Sequence, residues 1–155
     1  MLITRRMEWD AGHRVLGHES KCAYLHGHRY AAEVTVWAPG LDGLGRVIDF
    51  GVVKQVVGAW IDENWDHNMM LHKDDPLVKT LESLVFAEEH LDLPDQLWGD
   101  RVPYIMSNGN PTAENIAREL FDIATDLLRN ANAALSVLSV RIYETPNCWA
   151  DAVAR

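Results

Sequence analysis

Three histidines stand where strand geometry would turn them to a common face. His26 and His28 are two residues apart in a β-prone run, and alternate side chains of a strand share a face. His13 falls on the same parity as Met7, Trp9 and Ala11, so it belongs to the apolar face of the preceding strand. A lone histidine there would be read as a hydrogen-bonded core residue. Three clustered neutral imidazoles are costly to leave unpaired. A zinc ion satisfies all three at ~2.0–2.1 Å and keeps a fourth, open position, which is the arrangement of catalytic zinc. Gly27, between two of the ligands, suits a close approach of chain or a bulge.

A thiol precedes this set. Cys22 lies between Lys21 and Tyr24 and upstream of His26. As a fourth ligand it would close the shell, so it fits better as an acid or base beside the metal. The alternative is a small buried hydrophobe, the common fate of a free cysteine. Asp66-His67 pairs a carboxylate with an imidazole, a combination able to tune a thiol, although such pairs in loops are often only solvated. Glu144 continues a strand face after Leu138, Val140 and Ile142. A buried carboxylate there needs donors. A planar ligand edge with two adjacent N–H groups would satisfy it; a strand end turned to water is the other reading. His18, His72 and His90 sit in polar surroundings and receive no role.

The elements that must position these groups can be read from periodicity. Strands are expected over residues 2–15, 28–38, 102–106, 135–144 and 149–153. Asp49 caps a helix running to about Trp65, with Val53, Val56, Val57, Trp60 and Ile61 at helical spacing. A second helix covers residues 76–91, and residues 92–100 form a loop. Asn110-Pro111-Thr112 opens a long helix, because Asn caps well and Pro suits the first turn. Its apolar stripe is Ile116, Leu120, Ala124, Leu127 and Ala131, with Phe121 and Leu128 beside it. Strand pairs joined as hairpins, with helices between, make an α+β pattern.

Composition narrows the function. The 155 residues favour one domain with a substantial core. A formal net charge of −9 argues against broad nucleic-acid binding, which needs a basic footprint. No apolar run approaches a membrane span, and the N-terminal residues lack a secretory h-region, so a cytoplasmic chain is expected. Two cysteines imply no disulfide framework. The usual nucleotide-binding glycine motifs and the HExxH signature of zinc hydrolases are missing.

His13, Cys22-Ala-Tyr-Leu-His26-Gly-His28, Asp49-Phe50, Asp66-His67, Pro111-Thr112-Ala113-Glu114-Asn115 and Glu144-Thr145 occur in that order. This ordered set resembles the 6-pyruvoyl-tetrahydropterin synthase family. Pyruvoyl-forming members space the cysteine and HGH more widely, whereas CxxxHGH resembles the bacterial 6-carboxy-5,6,7,8-tetrahydropterin synthase branch. The resemblance implies a single tunnelling-fold domain over 1–155, with an extended segment at about 72–108. In that fold a four-stranded antiparallel sheet carries two long helices on one face. Subunits close into a barrel and two rings stack as a homo-hexamer, a dimer of trimers, with active sites between subunits. It implies Zn2+ on His13, His26 and His28, a proton moved by Cys22 and tuned by His67 and Asp66, and a pterin gripped by Glu144 with help from Glu114. The implied reaction is a lyase step of 7-deazaguanine and queuosine synthesis. It turns 7,8-dihydroneopterin triphosphate into 6-carboxy-5,6,7,8-tetrahydropterin, acetaldehyde and triphosphate. A pyruvoyl-forming sister enzyme and a non-catalytic zinc-binding assembly protein are the alternatives. Lys21, Arg14 and Lys54 are candidates to meet the triphosphate.

Overall fold

The structure, a computed structural model, describes residues 1–90 and 102–155. Two long strands form its frame. β1 (Leu2–His13) and β2 (His26–Trp37) pair antiparallel in unbroken register, from Leu2 opposite Trp37 to His13 opposite His26. β5 (Ser136–Thr145) adds to β2 and β6 (Cys148–Val153) adds to β5, both antiparallel. These four pair antiparallel throughout, but they are not the whole sheet, and the expected count of four does not hold. Among the described residues the sheet is six-stranded and open, in the order β4-β3-β1-β2-β5-β6. β3 (Met69–Leu71) and β4 (Tyr104–Ile105) extend it beyond β1 by parallel pairing. A three-residue strand is too short for its period to be read. Backbone bonds define it instead, from His67 N–H to Asp10 O (2.7 Å) and from Gly12 N–H to Asn68 O (2.9 Å).

Helices cover one face of the sheet. Asp49 caps the first helical run by accepting from Gly51 N. That run is α1 (Phe50–Val53), a π-helical turn (Lys54–Gly58) and α2 (Ala59–Asn64). It buries Val53, Val57 and Ile61, with Val56 and Trp60 at the margin of the core. α3 (Pro76–His90) lies in the expected extended segment; the loop expected over 92–100 falls outside the described residues. α4 (Ala113–Ala131) starts at Thr112, whose side chain accepts from Asn115 N. Asn110 is therefore not the cap.

The buried stripe of α4 is Ile116, Leu120, Ala124 and Leu128, while Leu127 is only half-buried and Ala131 is exposed. A strict four-residue step selects Leu128. Glu119, also on a buried face, accepts from Tyr104 Oη (2.7 Å), Ser107 N (3.0 Å) and Ser107 Oγ (2.9 Å). Those bonds fasten the chain returning from the extended segment to α4. Facing the helices are Met7, Trp9 and Ala11 of β1, Tyr30 to Val36 of β2 at alternate positions, and Val140 and Ile142 of β5. A register shift where Thr35 and Val36 meet β5 moves Val137 into the core and leaves Leu138 half-buried. The bulge breaks the simple alternation predicted there.

Candidate metal centre and thiol cleft

The three histidines meet at one end of the β1–β2 pair. His13 is opposite His26, and His28 stands opposite Ala11 on the same face. Side-chain atoms of the three, one from each, lie within 4.8 Å of one another, and the group could hold a metal ion. Gly27 makes the convergence possible without a bulge. The register is unbroken there, and a β-carbon on Gly27 would sit 2.9 Å from the carbonyl oxygen of Ala11.

Hydrogen bonds on the far nitrogens set the tautomers. His13 Nδ1 donates to Pro111 O (2.8 Å) and His26 Nδ1 donates to Tyr24 O (2.8 Å). Both Nε2 atoms are then lone-pair acceptors, and they face each other at 3.1 Å. Two acceptors so placed repel unless an electrophile lies between them. His28 Nε2 is buried and has no hydrogen-bond partner among the described residues. Burial, opposed by the Pro111 carbonyl and helped by the other two imidazoles, pulls His13 down to a pKa of about 4. His28 is lowered mainly by burial, against the pull of Glu144. Three imidazoles with converging Nε2 atoms fit a tetrahedral divalent cation. Coordination at ~2.0–2.1 Å puts neighbouring ligand nitrogens about 3.4 Å apart.

Glu144 faces the same point. Its Oε1 lies 3.4 Å from His13 Nε2 and 3.9 Å from His28 Nε2, and the side chain is 28% exposed, so it is not turned out to water. Tyr30, wholly buried, forms the floor, with ring centroids 5.8 Å from His13 and 5.6 Å from His28. Burial first, and then the negative charge of Glu144 and Cys22, pushes its hydroxyl far above the ordinary tyrosine range. It stays protonated.

Cys22 is half-buried in a 3₁₀ turn (Lys21–Ala23). It lines a cleft of about 250 Å³ together with Glu114, Glu144, Thr112, His18 and Cys148. The expected thiol, pterin-binding and helix-start carboxylates thus meet. His18 and Cys148 were not foreseen. His18 Nδ1 accepts from Ser20 N at 2.9 Å, which leaves Nε2 carrying the proton. Only the closeness of Cys148 to Glu144, across the β5–β6 turn, hinted at its place in the sequence.

Asp66 and His67 are elsewhere. Asp66 Oδ1 accepts from Asp10 N (3.0 Å), and Asp66 Oδ2 lies 2.8 Å from His67 Nδ1, at ion-pair distance. His67 has a left-handed backbone (φ 53°), and its side chain is 76% exposed. It lines a separate, open cleft of about 690 Å³ with His26 and His28. Within one chain, then, Cys22 and His67 line different clefts. Arg14, one of the candidates to meet the triphosphate, already has a carboxylate partner. Its guanidinium is bound through Nε and Nη2 to both oxygens of Asp75, a carboxylate only 2% exposed. Lys21 and Lys54 remain exposed.

Residues 2–154 match the family described as 6-pyruvoyl tetrahydropterin synthase. A Rickettsia felis protein named 6-carboxy-5,6,7,8-tetrahydropterin synthase is 43% identical over 149 residues, 96% of each chain. A Helicobacter pylori protein of the same name is 31% identical over 158 residues, 97% of this chain and 72% of its own. Among solved structures, an uncharacterised Wolinella succinogenes protein superposes with a TM-score of 0.77 at 24% identity, covering 100% of this chain and 98% of its own. The Caenorhabditis elegans 6-pyruvoyl tetrahydropterin synthase gives 0.64 at 20% identity, covering 100% and 96%. Those two likenesses establish the shared fold.

Proposed function

The chain belongs to the 6-pyruvoyl tetrahydropterin synthase family, and on that premise we propose that it converts 7,8-dihydroneopterin triphosphate to 6-carboxy-5,6,7,8-tetrahydropterin. Acetaldehyde and triphosphate are released, and the product feeds 7-deazaguanine and queuosine synthesis. The observation that carries this reading is near-full-length identity of 43% to a relative bearing the carboxy-forming name. The intact thiol cleft beside three converging histidines supports it.

The resident metal of this reading is zinc, held by His13, His26 and His28. When bound it supplies Lewis acidity, which lowers the pKa of side-chain hydroxyls and of the adjacent carbon acid. The chain's own groups do the rest. Pro111 O and Tyr24 O keep two imidazoles in the tautomer that presents Nε2. Glu144 orients the pterin by accepting from adjacent N–H groups of its amino-pyrimidinone edge. Glu114, exposed in the first turn of α4 and lining the same cleft, assists that binding. Cys22 takes and returns a proton at the substrate side chain. Asp66 and His67 tune that thiol across a subunit boundary. The exposed, outward-turned imidazole and the separation of the two clefts within one chain support this.

A subunit boundary calls for an assembly. The sheet ends in β6 on one side and β4 on the other, and joining open edges into a ring would remove them. The reading is a barrel of single-domain subunits stacked as a homo-hexamer, working in the cytoplasm. Among the described residues no helix is long and apolar enough to cross a membrane.

Incubating the zinc-loaded protein with 7,8-dihydroneopterin triphosphate and identifying products by mass spectrometry tests the reaction. The 6-carboxy pterin and acetaldehyde are expected. Dominant 6-pyruvoyl-tetrahydropterin would reassign the chain to the sister activity, and absence of any turnover would remove the enzymatic reading.

A further inference from the structure

The loop joining His13 to Cys22 is held by one side chain from far along the chain. Asn110 Oδ1 accepts from Leu16 N at 2.8 Å, and Asn110 Nδ2 donates to Leu16 O at 3.0 Å. The amide thus occupies both backbone groups of a single loop residue, as a neighbouring strand would. Asn110 is itself fixed. Its carbonyl accepts from Thr112 N (2.8 Å) and from Asn115 Nδ2 (2.9 Å), so it is part of the entry to α4.

Two further bonds place this clamp in the site. Pro111, the next residue, gives the carbonyl that orients His13. At the other end of the loop, Val15 N donates to Cys22 O at 2.7 Å. Consecutive residues therefore hold a metal-facing imidazole and the loop that leads from it to the thiol. The route from Asn110 to Cys22 is short: the amide fixes Leu16, and the adjoining Val15 fixes Cys22. Asn110 is not a helix cap here, and no part of the proposed chemistry uses it.

We infer that Asn110 is a positioning residue for Cys22: its amide clamps Leu16 and so fixes the thiol's place relative to the three imidazoles. This rests on the proton-transfer role proposed for Cys22. The chemistry requires an amide. Alanine would leave both backbone groups of Leu16 without their partner. Aspartate could still accept from Leu16 N but would set a second carboxylate oxygen against Leu16 O. A misplacement of about 1 Å costs on the order of 100-fold in rate.

The test uses the zinc-loaded full chain with Asn110→Ala and Asn110→Asp. Zinc content, kcat and KM are measured. The rate of alkylation by iodoacetamide is followed separately at Cys22 and Cys148 by peptide mass spectrometry. Both variants are expected to keep zinc, because a backbone carbonyl orients His13. kcat should fall by on the order of 100-fold with KM within about threefold. Cys22 should alkylate several-fold faster while Cys148, the exposed internal reference, keeps its rate. Wild-type kcat in either variant would overturn the inference. So would zinc, KM and kcat all failing together, which would make Asn110 a general structural support. If the wild type itself does not turn over this substrate, the functional reading fails. The alkylation contrast then decides the clamp alone: unchanged Cys22 reactivity overturns it, and a selective rise upholds it.

Discussion

His13 and His67 are both imidazoles with Nδ1 engaged, yet the molecule builds them oppositely. His13 is wholly buried at a strand end, donates to a neutral backbone carbonyl, and is held to a pKa of about 4. His67 is mostly exposed, sits on left-handed backbone, and has a carboxylate at ion-pair distance. The first design suits a ring that must stay neutral and present a lone pair in a fixed direction. The second leaves a ring open to solvent beside a carboxylate, as the tuning of a neighbouring copy's thiol proposed above requires.

Removing the fixed end should have the largest effect. A His26→Ala/His28→Ala double variant should lose bound zinc to background and turnover with it, as read by metal analysis of the purified protein. Undiminished zinc would place the metal elsewhere.

Next comes the exposed end. Cys22→Ala and His67→Ala should each lower kcat by ~10²–10⁴ while zinc and pterin affinity stay, the range for a positioned acid or base. Assembled together from mixed, refolded subunits, the two inactive variants should regain activity above either parent if, as proposed, one copy supplies the thiol and its neighbour the imidazole. No gain on mixing would confine the pair to one chain. Loss of zinc in Cys22→Ala would make the thiol a ligand.

Glu144 tests where the metal centre ends. Glu144→Gln should weaken a pterin ligand at least tenfold by calorimetry, since a charge-assisted hydrogen bond is worth ~1.5–3 kcal/mol. Zinc content should not change. With Oε1 only 3.4 Å from His13 Nε2, a fall in zinc affinity would instead show that the carboxylate closes the shell.

The smallest effect concerns the anchor behind the fixed end. Burial alone would raise the Asp75 carboxyl, but hydrogen bonds from Arg14 and Leu77 N outweigh it and hold the group below the ordinary carboxylate range. A depressed carboxyl contributes stability that is full above its unfolded pKa and lost as pH falls through the lower folded value. The thermal stability of the wild type should therefore fall below about pH 4. Asp75→Asn should cost about 1–3 kcal/mol at neutral pH, less than a fully buried pair because Arg14 is partly exposed, and should flatten that acid limb. An unchanged acid limb would free Arg14 for another partner.

Much of the fixed end was legible from the chain. Alternation in a strand is local, so His13 could be put on the apolar face of its strand, His26 with His28 on one face of theirs, and Glu144 in line with Val140 and Ile142, with a turn to water left open. Helical spacing showed Ile116, Leu120 and Ala124 for the same reason. It misjudged Leu127 and Ala131 because burial on a helix follows the neighbour it packs on. Leu138 was misplaced by a bulge that only pairing with β2 reveals.

The sequence by itself determined the residue types, their order and their faces, and with them the family and the three-histidine set. Only the tertiary structure decided how the rest is used. It joined β3 and β4 to the sheet by backbone bonds no side-chain pattern encodes. It brought His18 and Cys148 to Cys22, and kept His67 in another cleft. It also spent the Asn110 amide on Leu16, 94 residues away, and left the cap of α4 to Thr112. Propensity and period act within a few residues, whereas these partnerships exist only once distant backbone groups are brought within hydrogen-bond reach.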